Sequence, residues 1–192
     1  DKTNEISFSN FIQSQNESKK TSWNIASISD HTADFDYSID KQTIGIIGTR
    51  PEGFDTCDYD SSEVTNKLNV SLVDLELEDL FDEAKEVELE TIVKTKNTVS
   101  SYLAGTEELV QEEFNKSLSI YHGLENLKDK HNLDAFAIRC WPETFTEYGC
   151  ASCGPMAMMN EKKVSCACEA DVLGGISCNI LNQMNNNPSL LV

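Results

Sequence analysis

Leu133-Asp134-Ala135-Phe136-Ala137-Ile138-Arg139-Cys140 runs straight into Trp141-Pro142-Glu143. The run is apolar except for Asp134 and Arg139, which reads as a buried strand that stops at a loop. Upstream, Thr106–Lys130 carries Val110, Phe114, Leu118, Tyr121, Leu124 and Leu127 at steps of three or four. That spacing predicts a long amphipathic helix, with Thr106 before Leu109-Val110 as its cap. Downstream, a helix is expected around Cys153–Asn160, a strand at Val164–Cys168 and a helix over about Val172–Met184. The order strand, helix, strand, helix is the signature of a parallel sheet covered by helices.

The same alternation extends towards the N-terminus. Thr43-Ile44-Gly45-Ile46-Ile47-Gly48 is a short β-branched run that opens into Thr49-Arg50-Pro51-Glu52-Gly53-Phe54. A short helix near Ser61–Leu68, capped by Asp60 or Ser61, leads to the strand Val70–Leu75. Leu77–Val87 is an acidic amphipathic helix with Leu80, Ala84 and Val87 on one face. The expected fold is α/β, an open, mostly parallel sheet flanked by helices, Rossmann- or flavodoxin-like. Leu190-Leu191-Val192 would begin a further strand after the turn at Asn185–Pro188.

The 192 residues carry 15 Lys+Arg against 33 Asp+Glu, a net charge of −18. No cluster of basic residues is present to release counterions, so nucleic acid is not an expected partner. The charge also opposes an anionic membrane surface, and no apolar run is long enough to span a bilayer. Hydrophobic residues make up 39% of the chain, a globular proportion. Residues 1–41 are polar and irregular and read as the remnant of an N-terminal domain or a linker. Residues 42–192 read as an α/β second domain. Asp1 is not a Met, and Val192 follows an apolar stretch, so the domain is expected to be truncated on its C-terminal side.

Six of the seven cysteines lie between Cys140 and Cys178, towards the C-terminal end of the chain. An odd, clustered set suits reduced thiols in a cytoplasmic protein better than a secreted disulfide framework. Cys150, Cys153, Cys166 and Cys168 could together form a four-thiolate zinc site. The competing reading makes Cys166 and Cys168 core residues on one face of a strand.

In a parallel sheet, ligands gather at the carboxyl ends of strands. That directs attention to the loops after Gly48, Cys140 and Cys168. Glu143 follows a strand end beside Trp141, and Cys168-Glu169-Ala170-Asp171 sets two carboxylates where an apolar strand meets a helix. Asp171 is expected to cap that helix. Glu169 falls in an apolar setting, where a carboxylate must pair, shift its pKa or hold a cation. Oxygen ligands suit hard cations such as Mg2+ and Mn2+. Trp141 is either core or a platform for substrate. His31, His122 and His131 fall away from these carboxylates, so no hydrolase triad is visible. The glycines at 45, 48 and 53 form neither a dinucleotide fingerprint nor a P-loop.

Three blocks carry a family resemblance: Asp134–Glu143, Tyr148–Pro155 and Ala167–Gly175. With Ile44–Phe54 upstream, they resemble the L-fucose/L-arabinose isomerase superfamily, most closely the fucose-isomerase-like sugar isomerases, over about residues 42–192. The resemblance implies a fragment of a metal-dependent aldose–ketose isomerase that moves a proton between C1 and C2 of a monosaccharide through an enediol. It implies Mn2+, or another divalent cation, held by a glutamate, a second acid and a histidine. Glu169 matches the glutamate, as metal ligand and as one of two proton-transferring carboxylates. Glu143 and Trp141 are the expected substrate contacts, and the remaining ligands are absent from this chain. The family also implies a homo-oligomer, trimer or hexamer, for the full-length protein. The alternative is a non-catalytic α/β domain that binds a sugar or another small molecule at the same sheet edge.

Overall fold

A computed structural model of the chain describes residues 41–185 and 187–189. All of the segment expected as a remnant or linker except its last residue, together with the apolar Leu190–Val192, lies outside the described residues. Four parallel strands form one sheet: β1 (Gln42–Ile47), β2 (Val70–Leu75), β3 (Ala135–Ile138) and β4 (Ser165–Ala167), in the order β2-β1-β3-β4. The helices are α1 (Ser61–Lys67), α2 (Leu77–Lys85), α3 (Leu89–Tyr102), α4 (Gln111–His131), α5 (Cys153–Glu161) and α6 (Val172–Asn185). The α/β class and the open parallel sheet expected from the alternation are what the chain adopts.

Strand periodicity divides the core between two faces. Ile44 and Ile46 of β1, with Ala135 and Ala137 of β3, pack with Val64, Val172 and Ile176. Ile47, Phe136 and Ile138 point the other way, into Leu80, Phe81, Leu124, Leu127 and Met159. Because side chains alternate along a strand, both faces must be apolar, and both are covered by helices. At the amino edge, Asp134 Oδ2 accepts a hydrogen bond from Thr43 N–H at 2.7 Å. Asn179 Nδ2 donates to buried Gln42 Oε1 at 3.0 Å. These polar ties fix the register of β1 against β3 and seat α6.

Two local features differ from the sequence expectation. The long helix begins at Gln111, since Thr106–Glu108 forms a separate 3-10 turn after Gly105, whose φ is 82°. Leu109 and Val110 are exposed, so the apolar stripe starts later than Val110 suggests. Residues 89–102 form a helix that the periodicity does not announce. Its buried positions are Ile92 and Val99, seven apart among Thr, Lys and Ser.

Candidate functional site at the carboxyl edge of the sheet

The chain leaves β1 for β2 on one side and returns to β3 on the other. The gap between the ends of β1 and β3 is therefore a topological switch point, where open α/β sheets bind ligands. Gly48 ends β1 with a φ of 75°, and a Cβ there would meet Arg139 Cβ at 3.0 Å. Glycine is required on both counts, since the left-handed backbone is costly for other residues and the Arg139 stem lies against it.

Arg139 is the hub of this edge. Its Nε donates to Glu143 Oε2 at 2.7 Å and its Nη2 donates to Glu143 Oε1 at 2.6 Å. Its Nη1 reaches back to the Thr49 carbonyl at 3.2 Å. The two-pronged pairing matches the guanidinium fork to a carboxylate. Both side chains are about four-fifths covered, at 22% and 19% exposure. The Arg139 hydrogen bonds hold the Glu143 carboxyl below its ordinary range, against a smaller opposing effect of burial. Both oxygens of Glu143, expected at the sequence level to face a substrate, are thus occupied by Arg139. Trp141 is 52% exposed and meets Phe145 edge-on at 5.3 Å between centroids. The indole stands at the rim of the edge and outside the core.

Glu169 arrives from β4. After Ala167 the chain turns so that Ala170 N–H donates to the Ile138 carbonyl at 3.0 Å. That bond carries Glu169 over the end of β3. The turn uses two successive residues at positive φ, Glu169 at 58° and Ala170 at 54°. Such conformations cost on the order of 1–3 kcal/mol each outside glycine, and they cluster at working sites. Asp171 then closes the turn, its Oδ1 accepting from Gly174 N–H at 2.8 Å. This is the helix cap the sequence suggests.

The Glu169 carboxylate is left short of partners. Its Oε2 is buried without a hydrogen bond. Burial pushes its pKa up, Arg139 draws it down and Glu143 raises it again. On the Oε1 side stand two sulfurs, Cys140 Sγ at 3.5 Å and Cys168 Sγ at 3.7 Å. Among the described residues, the Cys140 and Cys168 sulfurs and a Glu169 carboxylate oxygen form a group of potential ligand atoms within 4.8 Å of one another. An orphaned carboxylate oxygen fits a divalent cation that takes oxygen ligands. Glu169 could supply one ligand of such a set, and among the described residues no other carboxylate or histidine stands beside it to complete one.

The cysteines depart from the sequence reading. Cys140 and Cys168 form a disulfide, with Cα atoms 6.0 Å apart. Pairing across 28 residues is not readable from spacing. Cys150, Cys153 and Cys166 are free, two of them buried and one exposed, and they do not gather with Cys168 as a zinc site. Burial pushes the Cys150 thiol up to about 11, although Lys116 draws it down, and raises Cys166 as well. Both act as core residues. His122 sits in mid-helix, bonded to Thr95 and to Glu125, away from the sheet edge. Arg139 is the participant that sequence reasoning passed over. The available signal was an arginine at the end of an apolar strand, four residues before Glu143.

The chain is similar to sulfoquinovose isomerases. It is 33% identical over 149 residues to the sulfoquinovose isomerase of Alkalicoccus urumqiensis, covering 74% of this chain and 32% of that protein. Against the enzyme of Clostridium sp. (strain MSTE9), identity is 27% over 143 residues, with the same two coverages. Against that of Priestia aryabhattai it is 25% over 147 residues, covering 77% and 33%. The chain spans about a third of the length of the curated relatives it matches. No family model matches it. No helix among the described residues is long and apolar enough to cross a membrane.

Proposed function

We propose that this chain belongs to an aldose–ketose isomerase and carries one of its proton-transferring carboxylates, Glu169. The observation that carries the reading is the Glu169 carboxylate itself. It is held on a strained turn at the switch-point edge, partly buried, with one oxygen lacking any partner. Structural carboxylates are ordinarily satisfied, and groups with raised pKa at such edges suit proton transfer. The similarity to sugar isomerases supports the same class. The sugar we propose is sulfoquinovose, after the relatives, and the wider relationship is to the L-fucose isomerase superfamily.

Glu169 would take a proton from one of C1 and C2 and return it to the other. Its raised pKa brings the carboxyl nearer the working pH, which favours both halves of that exchange. Arg139 holds the loops after β1 and β3 together through Thr49 and Glu143, and Trp141 offers an apolar face at the rim. Glu169 would also be a ligand of Mn2+ or another divalent cation, which when bound supplies Lewis-acid polarisation of the sugar carbonyl. The other ligands, the trimeric or hexameric assembly and a cytoplasmic location are parts of the same proposal.

The test is full-length protein incubated with sulfoquinovose and Mn2+, followed by NMR of the sugar. The expected result is a ketose at equilibrium with the aldose. Saturable binding of the sugar with no ketose formed would overturn the reading in favour of a non-catalytic binding domain.

A further inference from the structure

We propose that Cys140 and Cys168 are a reversible thiol–disulfide couple that sets the surroundings of Glu169. The inference rests on the reading of Glu169 given above. Three observations carry it. The two cysteines end adjacent strands, one beyond β3 and one beyond β4, with Cα atoms 6.0 Å apart, inside the range that a disulfide spans. Both sulfurs stand against the same carboxylate oxygen, at 3.5 and 3.7 Å. The pair is also unequal in access, Cys140 being buried and Cys168 partly exposed. The three cysteines of the core and helix faces, Cys150, Cys166 and Cys178, are buried and free.

The chemistry balances with a small disulfide as oxidant. The Cys168 thiolate, the more accessible of the two, attacks one sulfur of the small disulfide and expels a thiolate. Cys140, having lost its proton to solvent, attacks the Cys168 sulfur of the mixed disulfide and expels the second thiolate. Two electrons pass from the cysteines to the small disulfide, and reduction by a dithiol reverses both steps.

The two states present Glu169 with different neighbours. In the disulfide neither sulfur carries a proton, so Oε1 lacks a donor on that side and Oε2 has none at all. The carboxylate is then free to ligate a cation. In the dithiol either S–H can donate to Oε1 and compete with the cation for it. The bond also staples the ends of β3 and β4, which carry Arg139, Glu143 and Glu169. In a reducing compartment, disulfides of this kind are transient and sense redox change.

Full-length protein is equilibrated with oxidised glutathione or with dithiothreitol, alkylated and digested. The expected result is that Cys140 and Cys168 resist label in the first sample, appear as one linked peptide and take label in the second. Labelling of both cysteines in the glutathione sample would overturn the couple. On each form Mn2+ alone is then titrated and free Mn2+ is read by electron paramagnetic resonance. Binding is expected to be at least threefold weaker after reduction, and the double variant C140S/C168S, which can form neither the disulfide nor a mixed disulfide there, should bind equally in both buffers. Equal affinity of the two wild-type forms would overturn the control of Glu169 by the couple. Absence of Mn2+ binding in either form would strike the metal-dependent isomerase reading and the control of Glu169 with it, while the alkylation pattern still decides the couple.

Discussion

Glu125 shows how a single carboxylate is committed to the fold, in contrast to Glu169. Burial raises its pKa, but hydrogen bonds from His122, Lys162 and Tyr121 outweigh that and hold it at about 2. A carboxyl lowered in the folded state adds stability above its ordinary pKa and loses it as the pH falls towards the folded value. The contribution of Glu125 is therefore complete above about pH 5 and fades between there and about pH 2. Glu125→Gln is expected to lower the unfolding midpoint at pH 7 and to flatten this acid limb, as measured by thermal melts from pH 7 to pH 3. Asp171 is simpler. Its cap on α6 is one hydrogen bond to Gly174 N–H, and Asp171→Ala is expected to cost about 1 kcal/mol in urea unfolding. This role was legible in the sequence, because an acid just before an apolar helix has few other uses. The occupation of Glu143 by Arg139 was not, because a pairing over four residues across a turn depends on a backbone path that spacing does not specify.

At the scale of elements, strands were the clearest features. Ile44-Gly45-Ile46-Ile47 and Ala135-Phe136-Ala137-Ile138 are apolar on both faces, and only a strand covered on both sides has a use for that. Helix α4 was equally clear in its middle, where Leu118, Leu124 and Leu127 are buried, and unclear at its start. Helix α3 escaped notice because its burial is confined to Ile92 and Val99. Gly123 marks where α4 crosses α2. A Cβ there would lie 3.1 Å from Ala84 N and 3.2 Å from the Leu80 carbonyl oxygen, both backbone atoms. A side chain has nowhere to move them, so overpacking exceeds any gain in helix propensity. Gly123→Val is expected to destabilise by about 1–3 kcal/mol in equilibrium unfolding, with no effect on the spacing of the strands.

For the molecule as a whole, the sheet order decides where function can sit. The order β2-β1-β3-β4 puts the switch point between β1 and β3, and Thr49, Arg139, Glu143 and Glu169 converge on that end. That the loops after Gly48, Cys140 and Cys168 lie at the carboxyl edge of the sheet was readable once the strands were recognised, because loop position follows from sheet topology. The Cys140–Cys168 link was not recognisable, because it depends on how far apart the ends of β3 and β4 lie. The chain spans about a third of the length of the relatives it matches, and in the reaction proposed above Glu169 would act together with further groups. The most direct test compares wild-type and Glu169→Gln full-length protein with sulfoquinovose and Mn2+ in D2O, reading deuterium at C2 by NMR. Wild type is expected to form ketose and to wash deuterium into C2 of the aldose that remains, and a proton-transferring Glu169 predicts that the variant loses at least 100-fold in both rates, the scale of a general acid–base group. A variant within tenfold of wild type would contradict it.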